Sequence, residues 1–391
     1  MTRRDRLAHA ARTLLRPLYR PLKRTTRFVA WALPALGTLL VDRSARLDRR
    51  VLIIYDLSSQ PFSIGDFLIF QEAAVLLCEK FGVKAVDFAL LHDPQSPASA
   101  DPVFKARVDA ENFLYHLASV LPVVQVNPYF KSLLVLDSRE QLVRYVNDNI
   151  DRYHVWPSGW DLSAREYLSP LVFNRLLRDH YAVHGAIPRL SCRPFLAAWA
   201  ADFYRAHVAP KVPITVNLRN NPAWHQARNS RMEAWIEFFD HCASRYPAVF
   251  VVICARSEID ARLRECPNVV VAKDHDTGVE QDMALIHGSA AHLGASSGPA
   301  TMAWFNDRPY LMVNTAFTAG AFFSEPEMVE QLDEQTQRVW FAAPMQRVIN
   351  AVESADMLIR EFETMWPAID VAAWAHQESS GREAPLQSWL R

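Results

Sequence analysis

From residue 51 the chain alternates short, continuously apolar runs with longer amphipathic stretches, the pattern of parallel α/β layers. VLIIY (51–55) predicts a buried strand, a helix follows from Asp66 to Phe81, KAVDFALL (84–91) gives a second strand and SLLVL (132–136) a third. Helices are expected at 138–149, 165–183 and 194–208, and residues 150–164, with Trp156, Pro157, Gly159 and Trp160, read as a long turn-rich loop. After Pro210–Pro213 the alternation sharpens. Strands are predicted at 213–218, 248–254, 268–272, 290–294 and 310–314, and helices at 230–245, 256–265, 279–287 and 298–306. That is the order of a doubly wound Rossmann-like unit. Residues 343–366 are expected to form helices that pack on this unit or cross back. A chain of 391 residues exceeds what one core usually fills. The expected fold class is therefore α/β, with two Rossmann-like domains facing a cleft over residues 51–210 and 211–391.

The first fifty residues depart from this pattern. Leu7, Ala11, Leu14, Leu15, Leu18 and Leu22 recur at three- and four-residue steps, with Arg12, Arg16, Arg20, Lys23, Arg24 and Arg27 at other positions and Pro17 and Pro21 as kinks. A basic amphipathic helix of this kind lies in the headgroup layer of a membrane. The following run FVAWALPALGTLLV holds fourteen residues broken by Pro34 and Gly37, short of the roughly twenty that span a bilayer. Residues 1–50 carry thirteen Lys and Arg against three Asp, a net of +10 that leaves −11 on the rest of a chain whose formal charge is −1. Nucleic-acid binding needs basic residues on the folded domain, so a membrane surface contacted through residues 1–41 explains the asymmetry better. Plain packing helices and an Arg-rich targeting peptide are the alternatives. The expected location is cytoplasmic, peripheral to the inner face of the plasma membrane.

Candidate chemistry concentrates in the second half. Ser296, Ser297 and Gly298 stand where a strand turns into a helix, and free N–H groups with hydroxyls at such a turn suit an anion. Arg219 ends an earlier strand and can grip the same phosphates in a bidentate fork. The alternatives are a surface salt bridge and a plain helix cap. His225 and Arg228, in the loop after Arg219, can reach a sugar or phosphate or be solvated loop residues. Asp66 is either a base for an acceptor hydroxyl or a first-turn acid favoured by the helix dipole. Trp156 and Trp160 can stack on sugar rings or pack.

Five scattered cysteines without a CxxC pair fit buried thiols in a reducing compartment, and thirteen histidines show no ligand spacing. Neither a metal nor a cofactor is expected. No GxGxxG, GxSxG or Walker loop is present, which speaks against NAD dehydrogenases, α/β-hydrolases and P-loop NTPases.

Residues 211–315 resemble metal-independent glycosyltransferases of the B fold (GT-B), of the fucosyltransferase-like and bacterial surface-polysaccharide type. Those enzymes carry His-x-Arg after the first strand of the donor domain, where this chain has Asn217-Leu218-Arg219. They also carry an acid on a helix, then a strand and a Ser-rich turn, matched here by Asp282, the strand AAHLGA and Ser296-Ser297-Gly298. Gly65-Asp66 is similar to the Gly-Asp turn of heptosyltransferase-like enzymes. The resemblance implies a nucleotide sugar bound by Asn217, Arg219, His225, Arg228, Asp274, Asp282 and Ser296–Gly298. It also implies Asp66 as the base, and a glycan or lipid-linked acceptor near Gly65, Asp66, Trp156 and Trp160. An epimerase or hydrolase of the same fold, and an inactive scaffold, are the rivals.

Overall fold

The computed structural model describes residues 49–60, 62–92, 111–158, 170–221, 226–295, 297–314, 332–333, 338–349, 351–369 and 371. The leader expected over 1–50 lies almost wholly outside them. Among the described residues no helix is long and apolar enough to cross a membrane.

The apolar run after Arg50 forms β1 (Arg50–Asp56) and is buried on both faces. Val51, Ile53 and Tyr55 enter one cluster, while Leu52 and Ile54 meet Ala89, Leu142 and Val146 in another. This two-sided burial is what a parallel sheet demands of a central strand. The chain continues through α1 (Ile64–Phe81), β2 (Val86–Leu91), α2 (Phe113–Val120), a 3-10 turn at 121–126, β3 (Phe130–Leu136), α3 (Arg139–Asp148), β4 (Tyr153–Trp156) and α4 (Pro170–His184). The four strands are parallel in the order β3-β2-β1-β4. Helix α1 is apolar almost all round and correspondingly buried.

Helix α5 (Pro194–His207) leads to β5 (Val212–Asn217), α6 (Met232–Ala243), β6 (Ala248–Ile253), β7 (Val269–Val271), α7 (Val279–Gly288), β8 (Ala291–Ala295), α8 (Ala300–Trp304) and β9 (Tyr310–Val313). A small antiparallel pair, β10 (Leu332–Asp333) and β11 (Arg338–Val339), precedes β12 (Gln346–Val348) and α9 (Ala355–Met365). The large sheet runs β12-β9-β8-β5-β6-β7, all parallel. Renumbered along the chain this is the 3-2-1-4-5-6 order of a doubly wound dinucleotide-type fold. Phe238, Phe250 and Phe362 join α6, β6 and α9 on one face of it. One cluster of buried side chains continues from β1 and α1 through the 121–126 turn, α5 and α7 to β6 and β9, so the two sheets share a core.

Three expectations are corrected, and one helix carried none. Residues 150–164 are not simply a loop, because Tyr153–Trp156 pair with β1, and Tyr153 donates to Asp87 (2.7 Å) on β2, the strand beyond β1. Four residues of mixed polarity carry no period strong enough to announce a strand. The helix expected at 256–265 is two 3-10 turns. Asp260 accepts from the Arg262 N–H at 3.0 Å, a local bond that competes with helix. Residues 343–366 are not all helix, since β12 covers the edge of β9 and only α9 is helical. The helix at 113–120 went unpredicted. The five cysteines are free and buried, as expected.

Two outcomes follow from this packing. Glu72, wholly buried on α1, has no hydrogen-bond partner for either carboxyl oxygen among the described residues. Burial raises it well above the ordinary 4.5, against the opposing charge of Arg189. The folded state therefore holds this proton where the unfolded chain releases it. Stability is full below about pH 4.5 and falls by about 1.4 kcal/mol per pH unit above that value, until the raised one is passed. Glu72→Gln removes this slope in urea titrations between roughly pH 5 and 8; equal slopes in both proteins would contradict it. Gly294 sits at φ +145, and a Cβ there would lie 2.3 Å from the Asn217 carbonyl oxygen. Gly294→Ala should cost about 3 kcal/mol or more, and an unchanged denaturation midpoint would refute the close approach.

Candidate functional site

In the large sheet the chain leaves β5 toward β6 on one side and returns at β8 on the other, so the carboxyl ends of β5 and β8 flank a crevice. Such switch points are where open parallel sheets hold ligands. Here the two backbones nearly touch, with Gly294 against Asn217. The Asn217 side chain is buried and doubly engaged. Its Nδ2 donates to the Ile253 carbonyl at 2.8 Å, and its Oδ1 accepts from the Ser297 hydroxyl. Ser297 Oγ also accepts from the Ala300 N–H at 3.5 Å. One amide thus joins the ends of β5 and β6 to the turn after β8.

The segment after β5 aims two guanidinium groups. Arg219 is buried; its backbone N–H donates to Ser230 Oγ (3.1 Å), its carbonyl accepts from the Ser230 N–H (2.7 Å), and its Nη1 donates to Asn229 Oδ1 (2.8 Å). Asn229 also exchanges bonds with the backbone of Asn221 at 3.0 and 2.8 Å. Asn314, at φ 50 just past β9, donates to the Asn229 carbonyl at 3.1 Å. Arg228 lies within the field of Arg219, and burial together with that like charge pushes it down to about 10. It remains cationic at neutral pH. Two cations that feel each other's charge make a setting in which an anion is favoured.

Across the crevice stands the start of α1. Ser63 caps it, accepting from the Asp66 N–H at 3.4 Å. Gly65 faces Gly298 so closely that a Cβ on Gly65 would be 3.2 Å from the Gly298 Cα, and one on Gly298 would be 3.1 Å from the Gly65 nitrogen. The carboxyl end of β1 is fixed nearby in sequence by Asp56, which accepts from Ser58 (2.7 Å) and pairs with Arg139. Asp66 and the Ser297–Gly298 turn, predicted separately, therefore converge.

Other predicted residues do not join this group. Trp156, expected on the acceptor side, is a core residue packed edge-on against Phe70 at 5.1 Å, because β4 buries its last side chain beneath α1. Asp274 follows β7, two strands and roughly 10 Å from β5, and Arg264 grips it bidentately at 2.8 and 2.7 Å. Asp282 is buried in the first turn of α7, where it accepts from Lys273 (2.6 Å) and Thr277 (2.7 Å). Burial pushes it up to about 6 against these partners, leaving it ionised at neutral pH and tying the 273–277 segment to α7. Ser296, His225 and Trp160 lie outside the described residues. Among the described residues no group of three or more His, Cys, Asp or Glu side chains could hold a metal.

The sequence reading missed Asn229, Ser230, Lys273, Thr277 and Gly294. Asn-Ser directly after Arg228 is a turn signal that could have been read. The lysine and threonine flanking Asp274–Asp276 offered no signal, because their partner lies on the next helix.

No family model matches the chain, and no curated protein matches it in sequence. Among solved structures, a glycosyl transferase family 9 protein from Veillonella parvula aligns with a TM-score of 0.51 at 11% identity, over 84% of this chain and 100% of that one. ADP-heptose lps heptosyltransferase II from E. coli aligns at 0.46 with 12% identity, over 85% and 100%. Fucosyltransferase NodZ from Bradyrhizobium aligns at 0.29 with 12% identity, over 66% and 93%. Sheet topology and the first of these alignments agree on one conclusion: the chain has the GT-B type of fold, with two Rossmann-like α/β domains and a crevice at the carboxyl ends of their strands.

Proposed function

We propose that this chain is a glycosyltransferase that moves a sugar from a nucleotide-sugar donor to a glycan or lipid-linked acceptor in bacterial polysaccharide synthesis. The observation that carries the reading is the contact of Gly65 with Gly298. It sets the first turn of α1, with Asp66, against the turn after β8, in a crevice that also receives Arg219 and Arg228. In this reading the donor diphosphate lies against the two guanidinium groups and the Ser296–Gly298 turn. The acceptor hydroxyl approaches from the Asp66 side. Its oxygen bonds to the anomeric carbon, the bond from that carbon to the phosphate oxygen breaks, and the electron pair leaves with the diphosphate. The hydroxyl proton passes to the Asp66 carboxylate. Charge on the leaving group is met by preorganised cations, so no metal has to be recruited for that purpose. Residues 1–41 would hold the enzyme on the cytoplasmic face of the membrane, where a lipid-linked acceptor resides.

A thermal-shift screen against ADP, GDP, UDP, CMP and their sugars tests the donor site. One nucleotide should stabilise the protein, by about 2.7 kcal/mol at a hundredfold excess over its dissociation constant. Arg219→Ala should weaken that ligand at least tenfold, or about 1.4 kcal/mol. A full shift in the variant would remove the phosphate role of Arg219. Asp66→Asn should keep donor affinity while lowering kcat by about a hundredfold or more; an unchanged kcat would require a different base.

A further inference from the structure

The opposite edge of the large sheet carries a second concave site. It lies where β5 and β9 begin and α7 ends, one strand length, roughly 20 Å, from the crevice. Helix α5 presents Ala197, Ala201 and Tyr204 on one face, and the small side chains leave a cavity of about 190 Å³ walled by Pro213 and Gly288. Arg205, Lys211 and Arg308 line it, and among the described residues no carboxylate does. The Asp residues nearest to them in sequence are engaged: Asp202 pairs with Arg205 at 2.5 Å on the exposed face of α5, and Asp307 pairs with Arg189 at 2.7 Å. Lys211 and Arg308 are exposed and enter no ion pair among the described residues. The Tyr204 hydroxyl is spent on the Leu285 carbonyl at 2.5 Å, so its ring, not its oxygen, faces a ligand.

Two cations from two different segments, Lys211 and Arg308, unpaired among the described residues, line one cavity beside the Asp202-paired Arg205 and the apolar Ala197, Ala201 and Pro213, a lining of one sign that suits an anion. The volume is below the roughly 300–1,000 Å³ of pockets that enclose whole cofactors. It admits a headgroup-sized anion but not a nucleotide sugar. We propose that this pocket binds a phosphate ester, with its phosphate between Lys211 and Arg308 and its small organic part against Tyr204 and Pro213. The ester can be a soluble metabolite or the headgroup of an anionic lipid, and the chemistry of recognition is the same.

The test uses the full-length chain and four variants: Lys211→Glu with Arg308→Glu, Gly288→Leu as a steric plug, Arg219→Ala as a cleft control, and the charge reversal combined with Arg219→Ala. A Cβ on Gly288 would meet Tyr204 and Ala200 at ordinary contact distances, 3.5 and 3.7 Å, so the first added carbon makes no clash, and the folding of this variant is checked by its thermal midpoint. Glycerol 3-phosphate is titrated by calorimetry, and flotation is measured with phosphatidylcholine vesicles with and without phosphatidylglycerol. Saturable glycerol phosphate binding that survives Arg219→Ala and falls at least tenfold in both pocket variants supports the site with a soluble ligand. Flotation on phosphatidylglycerol that falls by the same factor in both pocket variants supports it with a lipid headgroup. Binding in either arm that is unchanged by the pocket variants, or absent from both arms, overturns the proposal.

Discussion

The approach of β5 to β8 is the constraint on which the crevice depends. Parallel strands from the two halves of a doubly wound sheet lie side by side there, and the Gly294 backbone comes so near Asn217 that no side chain fits. Once the strands are that close, the groups at their carboxyl ends must be satisfied among themselves. Asn217 does this by donating to the end of β6 and accepting from Ser297. An amide suits the position because it offers a donor and an acceptor without placing a further charge two residues from Arg219.

Around this fixed point the segment after β5 brings two arginines together. Arg219 is oriented by Asn229 and Ser230, and Arg228 is depressed by burial and by Arg219. The carboxylates Asp274 and Asp282, expected at the same site, are taken by Arg264 and by Lys273. At the opposite end of the strands Lys211 and Arg308 line a cavity that no carboxylate among the described residues enters. Fields of one sign in concave, partly dry sites concentrate counter-ions far better than the same charges on a flat surface.

The two sheets are not independent bodies joined only by chain. Helix α7 packs on α5 and on the 121–126 turn, and buried side chains run continuously from one sheet to the other. Within that seam Glu72 is held with no hydrogen-bond partner among the described residues, at a cost that burial of the rest of α1 offsets. A seam that carries such a group retains the glycine contact between α1 and the turn after β8 at its edge because the apolar surface around it is extensive.

By itself the sequence determined the strands and helices that bury both faces or a full stripe: β1, β2, β5, β6, β8, α1 and α7 all lie close to where apolar periodicity puts them. It also placed Asp66, Arg219 and Ser297–Gly298 at the ends of those elements, because strand ends and helix starts are local events. Tertiary structure decided everything that needed a distant partner. β4 and β12 are strands only because β1 and β9 offer a ladder, and Trp156 became core because β4 lies under α1. The convergence of Gly65 on Gly298, and the gathering of Arg205, Lys211 and Arg308, depend on how two sheets and three segments dock. Local periodicity reports which face of an element is buried, but not which other face it is buried against.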